Sequence, residues 1–496
     1  MGLLFLAASI SALQASIPIN PFEAYVRDVV KKMSAEALTT TDVKAALAVE
    51  TTLSSIQRLP RDRAALHHRN VRHLLASNFS AFPVLTAQPE QIHIAIAATS
   101  SNVTVNWITS NQSSGSRVCY HVKLSDVVVC QDGSTWTYDP ISIVPWVGNC
   151  HGANMIDLTP GAEYCYRVGD AALNVWSREI CFTAPNLQKD EITVALGGDM
   201  GSIQLFGYLV AEQMRADEVE HRIQFDAFWL LGDIAYSTLD PGNAANAEFF
   251  WDIYMRQEQS FVDHVPFLVT YGNHDFNGGD SAAFINRFRM PTQGGGLGNF
   301  YWAYKHGPVF FVSMCTEVAL LPITCNFAPG SPQYVWLEQQ FASINRTETP
   351  WLILGGHRPM YSTDTSTDSG PLQQYIEPLL RKYSVDVQMT GHMHDTELVA
   401  PVYANVPSME GVARVSENKW IFSRPRAPVH MTVGTLGGLQ EESYVQPQPA
   451  WSLYRNGTIF DDAYGYVRMV ANRSALHFVC LKQRDNSTMW ELIVQK

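Results

Sequence analysis

The sequence predicts an α/β domain preceded by an all-β sandwich. Short strands of alternating polarity, broken by Ser, Asn and Gly turns, fill residues 83–186. Beyond Asn186, largely apolar runs of strand length alternate with helix-length stretches, the pattern of a sheet covered by helices. A chain of 496 residues also exceeds one ordinary domain, and 46% hydrophobic against 16% charged residues is a globular composition.

In chain order, residues 1–16 carry the apolar run Leu3-Leu4-Phe5-Leu6-Ala7-Ala8, then small and polar residues. This reads as a signal peptide cleaved near Ala15 or Ser16, though without a basic leading segment. Residues 17–82 are expected to form a helical extension, with runs at 22–33 and 41–59 and Pro60 as a break. In the sandwich, residues 83–186, strands are expected at 91–96, 103–108 and 163–168. The stretch 103–109 around Trp107, followed by Leu158-Thr-Pro-Gly-Ala-Glu-Tyr, resembles a fibronectin-type domain. Such a sandwich is a scaffold more often than a catalyst. The remainder, 187–496, is expected to be catalytic. Its candidate buried strands begin at Ile192, Ala227, Pro266, Trp351 and Val385, with helices at 207–219 and 332–344. Residues 465–494 return to strand alternation and are expected to add strands to that domain.

Charge and cysteine usage narrow the function. A net charge of -13 with no long Lys/Arg run argues against nucleic acid or an anionic membrane as main partner. An anionic substrate then needs local positive charge, which metal ions supply. None of the eight Cys sits in C-x-x-C, which disfavours a zinc ribbon or redox pair. An even count predicts disulfides; Cys315 and Cys325 are near enough to close a local loop, but pairing does not follow from sequence. Sequons at Asn78, Asn102, Asn111, Asn345, Asn456, Asn472 and Asn486, with no second membrane-spanning run and no GPI-type tail, predict an N-glycosylated protein. Its expected destination is extracellular or a lysosome- or vacuole-like compartment, and a homodimer is left open.

Each of the five apolar strands ends in a polar residue able to bind metal. The ends read Gly198-Asp199-Met200-Gly201, Gly232-Asp233-Ile234-Ala235-Tyr236, Gly272-Asn273-His274-Asp275, Gly356-His357-Arg358-Pro359 and Gly391-His392-Met393-His394. Ligand sites of α/β sheets gather at the carboxyl ends of strands, and the glycines let the chain turn close to a bound group. Two hard ions a few ångströms apart require a bridging carboxylate, with imidazole, carboxylate or amide oxygen as other ligands; Asp233 is the natural bridge. One such motif is a weak signal, whereas five in order are not chance.

This order of motifs resembles the metallophosphoesterases, and Tyr236 narrows the resemblance to the purple acid phosphatases. Tyr334-Val-Trp-Leu-Glu and Asn345-Arg-Thr-Glu-Thr-Pro-Trp351 are similar to the large plant-type members, and the resemblance runs from about Pro83 onward. It implies ferric iron held by Asp199, Asp233, Tyr236 and His394. It implies a second metal, zinc, manganese or ferrous iron, held by Asp233, Asn273, His357 and His392. A phenol with a pKa near 10 binds as phenolate only to a strongly polarising ion, which suits trivalent iron. The resemblance also implies that His274 faces substrate and protonates the leaving oxygen. Asp275 either orients His274 or caps the next turn. Arg358 reads as a phosphate clamp or, more commonly, a structural ion pair, and stays outside the predicted site.

One departure from the plant-type pattern matters. Those members carry paired histidines some ten residues after the His of the fourth motif, and Met360–Ser369 here holds none. Asp364, Asp368 or hydroxyls are left as replacements, with a solvated loop as the default. The fifth motif is followed by Asp395-Thr-Glu in place of the usual aromatic and Glu-Arg. The expected activity is hydrolysis of small phosphate monoesters by attack of a metal-bound hydroxide, with an acidic optimum. The alternatives are a nucleotide, diphosphonucleotide or phosphodiester hydrolase, or a catalytically dead binding protein.

Overall fold

The computed structural model describes residues 85–97, 102–140, 146–201, 205–237, 247–276, 280–291, 299–365, 369–438, 440, 444–457 and 463–496. The expected signal peptide and helical extension lie outside them. Nine strands come first: β1 (Glu90–Ile96), β2 (Val103–Ser110), β3 (Arg117–Val122), β4 (Val129–Asp132), β5 (Ser134–Trp136), β6 (Gly148–Met155), β7 (Glu163–Asp170), β8 (Val175–Trp176) and β9 (Ile180–Thr183). They form one sheet in the order β1-β2-β6-β5 and a second in the order β4-β3-β7-β8, with β9 also on β7. Alternate side chains of both sheets, among them Val105, Trp107, Tyr166, Val168 and Phe182, make one apolar core. Trp107 is 1% exposed and stacks on His151. Disulfides join Cys119 to Cys130 and Cys165 to Cys181 across neighbouring strands.

The second half opens with β10 (Glu191–Gly197), α1 (Leu205–Glu220), β11 (Ala227–Leu230), α2 (Ala247–Val262), β12 (Phe267–Val269) and α3 (Ala282–Arg287). Then come β13 (Trp302–His306), β14 (Val309–Ser313), α4 (Pro332–Ser343), β15 (Trp351–Gly355), α5 (Gly370–Tyr375), α6 (Glu377–Lys382) and β16 (Val387–Thr390). Further strands are β17 (Thr396–Val399), β18 (Val402–Tyr403), β19 (Val406–Pro407), β20 (Val412–Ser416), β21 (Lys419–Ser423), β22 (Val429–Val433) and β23 (Ser452–Asn456). The chain closes on β24 (Gly465–Asn472), β25 (Ala475–Lys482) and β26 (Thr488–Gln495).

Two large mixed sheets result. One runs β12-β11-β10-β24-β25-β26-β21-β20 and the other β13-β14-β15-β16-β22-β17-β23. The pairs β10/β11, β11/β12, β14/β15 and β15/β16 are parallel, which sends their carboxyl ends the same way within each sheet. The sheets meet face to face at Trp229, whose ring centroid lies 5.7 Å from that of Phe311. Gly355 is required there by space, since a Cβ would fall 2.2 Å from the Trp229 indole. All four residues of β11 are buried, as a strand packed on both faces must be.

The five predicted strands all form, three in the first large sheet and two in the second, and the C-terminal strands extend the first large sheet as expected. Helix α4 begins where Ser331 accepts the Tyr334 amide and Pro332 fills the first turn. Cys315 pairs with Cys325, while Cys150 and Cys480 are unpaired and buried, so the even count does not translate into four disulfides. Burial pushes both thiols up to about 12, which keeps them protonated and unreactive.

A cluster of buried polar residues locks the first half to the second. Arg287 on α3, 2% exposed, lies 2.8 Å from Glu248 and from Asp252 on α2, and donates to the Tyr138 hydroxyl and the Gln91 side-chain oxygen. Trp146 donates to Asp252 at 3.2 Å and faces the guanidinium. Breaking a buried pair of this kind costs about 3–5 kcal/mol, because the partner charge is stranded.

Candidate metal centre

The five strand ends converge between the two large sheets. Asp199 follows β10, Asp233 and Tyr236 follow β11, and Asn273 follows β12; His357 follows β15 and His392 and His394 follow β16. Two donor groups form, Asp199, Asp233 and His394 in one and Asp233, His357 and His392 in the other, each with its donor atoms within 4.8 Å. Asp233 belongs to both. Tyr236 joins the first group, its hydroxyl 3.1 Å from Asp199 and 2.5 Å from His394 Nε2. Asn273 joins the second, its Oδ1 3.1 Å from His357 Nε2. All seven residues singled out in the sequence as ligands are thus brought together.

Backbone conformation aims the side chains. Asp199, Asp233, Tyr236 and His392 have φ of 62°, 52°, 48° and 69°, the left-handed region that costs a non-glycine residue on the order of 1 kcal/mol. The strand-end glycines were expected to supply the sharp turns. Among them only Gly232 has positive φ, while Gly272 and Gly391 serve by lacking a Cβ. A Cβ at Gly391 would lie 2.3 Å from Asp199 Oδ2. Backbone amides hold the carboxylates: His274 N donates to Asp233 Oδ1 at 2.7 Å, and His392 N to Asp199 Oδ2 at 2.8 Å.

Electrostatics follow from this crowding. Burial opposes ionisation of Asp233, but the imidazoles of His357, His274 and His392 hold it well below the usual carboxylate range. Burial likewise opposes a charge on His357, yet Asp233 at 3.3 Å outweighs it and pushes the imidazole up to about 10. Burial and the neighbouring His357 charge push His392 well below its ordinary value. Burial and Asp199 push the Tyr236 phenol well above 10. A carboxylate shared by two oxygen and nitrogen donor sets is the chemistry that a pair of hard or borderline ions requires, and the residues fit it. The protons on His357 and on the Tyr236 phenol are ones that metal binding would have to displace.

His274 is half-buried, with its ring centroid 4.6 Å from that of Tyr236. Asp275 acts as a cap: its carboxylate accepts the Ile234 amide at 2.9 Å and the Gly272 amide at 2.8 Å, which ties the second and third motifs together. The loop after His357 corrects an expectation. Of its described residues, Tyr361, Thr363 and Asp364 are buried while Thr365 is exposed, so the first part is not solvated: the Thr363 amide donates to buried Glu397 at 2.8 Å and Asp364 bridges to Tyr444. Asp368 lies outside the described residues.

Two contributors escaped the sequence reading. The Gly-rich turn after β22 lines the cluster, with Gly438 N donating to Asp199 O and Gly434 lying close to the Asp199 carboxylate. The same strand-then-glycine pattern marked it, but no ligand-type residue follows. Glu317, fully buried beyond β14, pairs with Arg358 at 2.8 Å. Arg358 is therefore the ion pair anticipated, but it also reaches His392.

This architecture and this site define a calcineurin-like phosphoesterase, and residues 194–396 match the family model of that description. The flanking segments are more specific. Residues 89–184 match the purple acid phosphatase N-terminal domain, and 427–489 match the iron/zinc purple acid phosphatase-like protein C model. The chain belongs to the purple acid phosphatase family, whose members carry a dinuclear metal centre. It is 28% identical to acid phosphatase type 7 of Danio rerio, over 79% of this chain and 87% of that one. It is 27% identical to a protein named probable inactive purple acid phosphatase 9 of Arabidopsis thaliana, over 82% and 67%. The structure of a purple acid phosphatase from yellow lupin seeds superposes with a TM-score of 0.70 at 22% identity, covering 83% of this chain and 75% of that one, which shows the shared fold.

Proposed function

We propose that the chain is a secreted acid phosphatase that hydrolyses phosphate monoesters at a dinuclear centre of ferric iron and a divalent ion. The observation that carries this reading is Asp233, common to two donor groups at the converging strand ends. Asp199, Tyr236 and His394 complete one ion's ligands, and Asn273, His357 and His392 the other's. Bound ions supply an activated water and neutralise charge at phosphorus. The chain's own residues do the rest. Asp275 fixes the relative position of the second and third motifs through two amides. His274, whose amide donates to Asp233 and whose ring centroid lies 4.6 Å from that of Tyr236, would pass a proton to the leaving oxygen. Tyr236 as phenolate selects a trivalent ion.

Secretion is supported by the apolar N-terminal run, the sequons and three disulfides. Among the described residues no helix is long and apolar enough to cross a membrane. The test is elemental analysis with p-nitrophenyl phosphate turnover at pH 5, in the wild type and Asp233→Ala. Metal-dependent turnover that the substitution abolishes is expected. A wild type that binds no metal, or a variant with undiminished turnover, would refute the proposal.

A further inference from the structure

Arg358 follows His357, and its guanidinium is fixed from one side. Nε donates to both oxygens of Glu317, at 3.0 and 2.9 Å, and Nη2 lies 2.8 Å from Oε2. Glu317 is fully buried and also accepts the Thr316 hydroxyl at 2.9 Å, while Thr316 Oγ1 accepts the Arg358 amide at 3.0 Å. On the other side, Arg358 Nη1 lies 2.8 Å from His392 Nε2, which accepts from it. The side chain remains 27% exposed, so its guanidinium is not sealed off from solvent.

The bond to His392 is incompatible with a loaded centre. A neutral imidazole has one N–H and one lone pair. When a metal takes the lone pair, the other nitrogen carries the proton. Nε2 is then either bonded to the ion or protonated, and it accepts nothing from Arg358 in either case. The guanidinium cannot withdraw without leaving Glu317 a buried unpaired charge. With ions held by Asp199, Asp233 and Tyr236, the guanidinium would lie beside a net positive charge, since a trivalent and a divalent ion would exceed the charge of two carboxylates and one phenolate. An anion with several oxygen acceptors removes both the orphaned donor and the repulsion. The loop after His357 offers no histidine for that purpose, and its Asp364 is itself acidic.

We infer that Arg358 is a substrate-binding residue, donating from Nη1 to a phosphate oxygen of the bound monoester or of the orthophosphate product, with Glu317 as its positioning residue. The inference rests on the dinuclear reading above. It assigns the cationic contact that the missing histidines leave vacant to the residue beside a ligand.

Arg358→Ala alone would strand Glu317 and endanger folding, so the informative pair is Glu317→Gln and Glu317→Gln/Arg358→Met. Orthophosphate affinity is measured by calorimetry on metal-replete protein, alongside metal content and separate kcat and KM values. The double variant should keep the metal content of the single one. It should bind orthophosphate about tenfold or more weakly, with KM raised and kcat little changed, the signature of binding shared by ground and transition states. Equal orthophosphate affinity in the two variants overturns the inference, and so does loss of metal confined to the double variant, which would make Arg358 a support for His392 alone. If the double variant does not fold, Arg358→Lys decides in the same terms: weaker orthophosphate binding at full metal content supports, unchanged binding overturns. A wild type without metals or orthophosphate binding would fail before any substitution, which separates failure of the dinuclear reading from failure of this one.

Discussion

Gly272→Ala is the smallest change that tests whether the position of Asp233 governs turnover. Gly272 has φ -116° and ψ 175°, extended backbone open to any residue, so its requirement is space and not conformation. An added Cβ would lie 2.3 Å from the Asp233 amide nitrogen, 2.3 Å from its Oδ1 and 3.0 Å from its Cγ. A relaxed carbon–oxygen contact is about 3.3 Å, so the carboxylate or the whole strand end must shift by about 1 Å. Neither is free to do so without loss, because Asp233 is 1% exposed and its Oδ1 accepts the His274 amide at 2.7 Å. Overpacking of one methyl costs about 1–3 kcal/mol, small against a total stability of about 5–15 kcal/mol. The protein should therefore still fold. A misplacement of about 1 Å in a reacting constellation costs about a hundredfold in rate. The assay pairs a thermal melt and metal analysis with kcat on p-nitrophenyl phosphate, and the expected result is a cooperative melt with about hundredfold lower turnover. Wild-type turnover at full metal content would refute the reasoning.

Two other outcomes are expected. Tyr236→Phe should remove a visible absorption band from the purified protein; a wild type that is colourless and carries only zinc or manganese would sink the ferric assignment. His264 carries a pH effect far from the chemistry: burial would lower its pKa, but hydrogen bonds to Asp263 and Glu218 outweigh it and raise the group to about 9. Its folded value exceeds the unfolded one, so its stabilisation is complete below pH 6.5 and fades as pH rises through about 9. It amounts to on the order of 3 kcal/mol at most. The melting-temperature gap between wild type and His264→Gln should narrow across that window, and a constant gap would exclude the effect.

The five motif strands were legible because strands buried on both faces are mainly apolar, and an abrupt Gly–ligand step then marks each end. The catalytic helices were legible unevenly. Helix α4 announces itself through Ser331 and Pro332, whereas α2 was passed over. Its buried positions include Glu248, Asp252, Gln257 and Glu258, polar residues whose inward orientation depends on partners distant in sequence such as Arg287. The ligand set was readable as residue types, but not the left-handed backbone at Asp199, Asp233, Tyr236 and His392, since nothing local forbids those residues an ordinary conformation. The burial of the loop after His357 escaped for a related reason. It depends on Glu397, 34 residues further on, which accepts the Thr363 amide.

Family models divide this chain between residues 184 and 194, as though two modules had been joined. The Arg287 cluster runs across that division. Gln91, Tyr138 and Trp146 come from one side of it, and Glu248, Asp252 and Arg287 from the other. Recombination at the apparent seam would separate the Arg287–Glu248–Asp252 ion cluster from the neutral groups that complete its hydrogen bonds, and a sandwich transplanted from a distant relative would have to bring all three partners in register. The β-sandwich is then less a detachable accessory than a wall of the catalytic half, fastened by side chains that both supply.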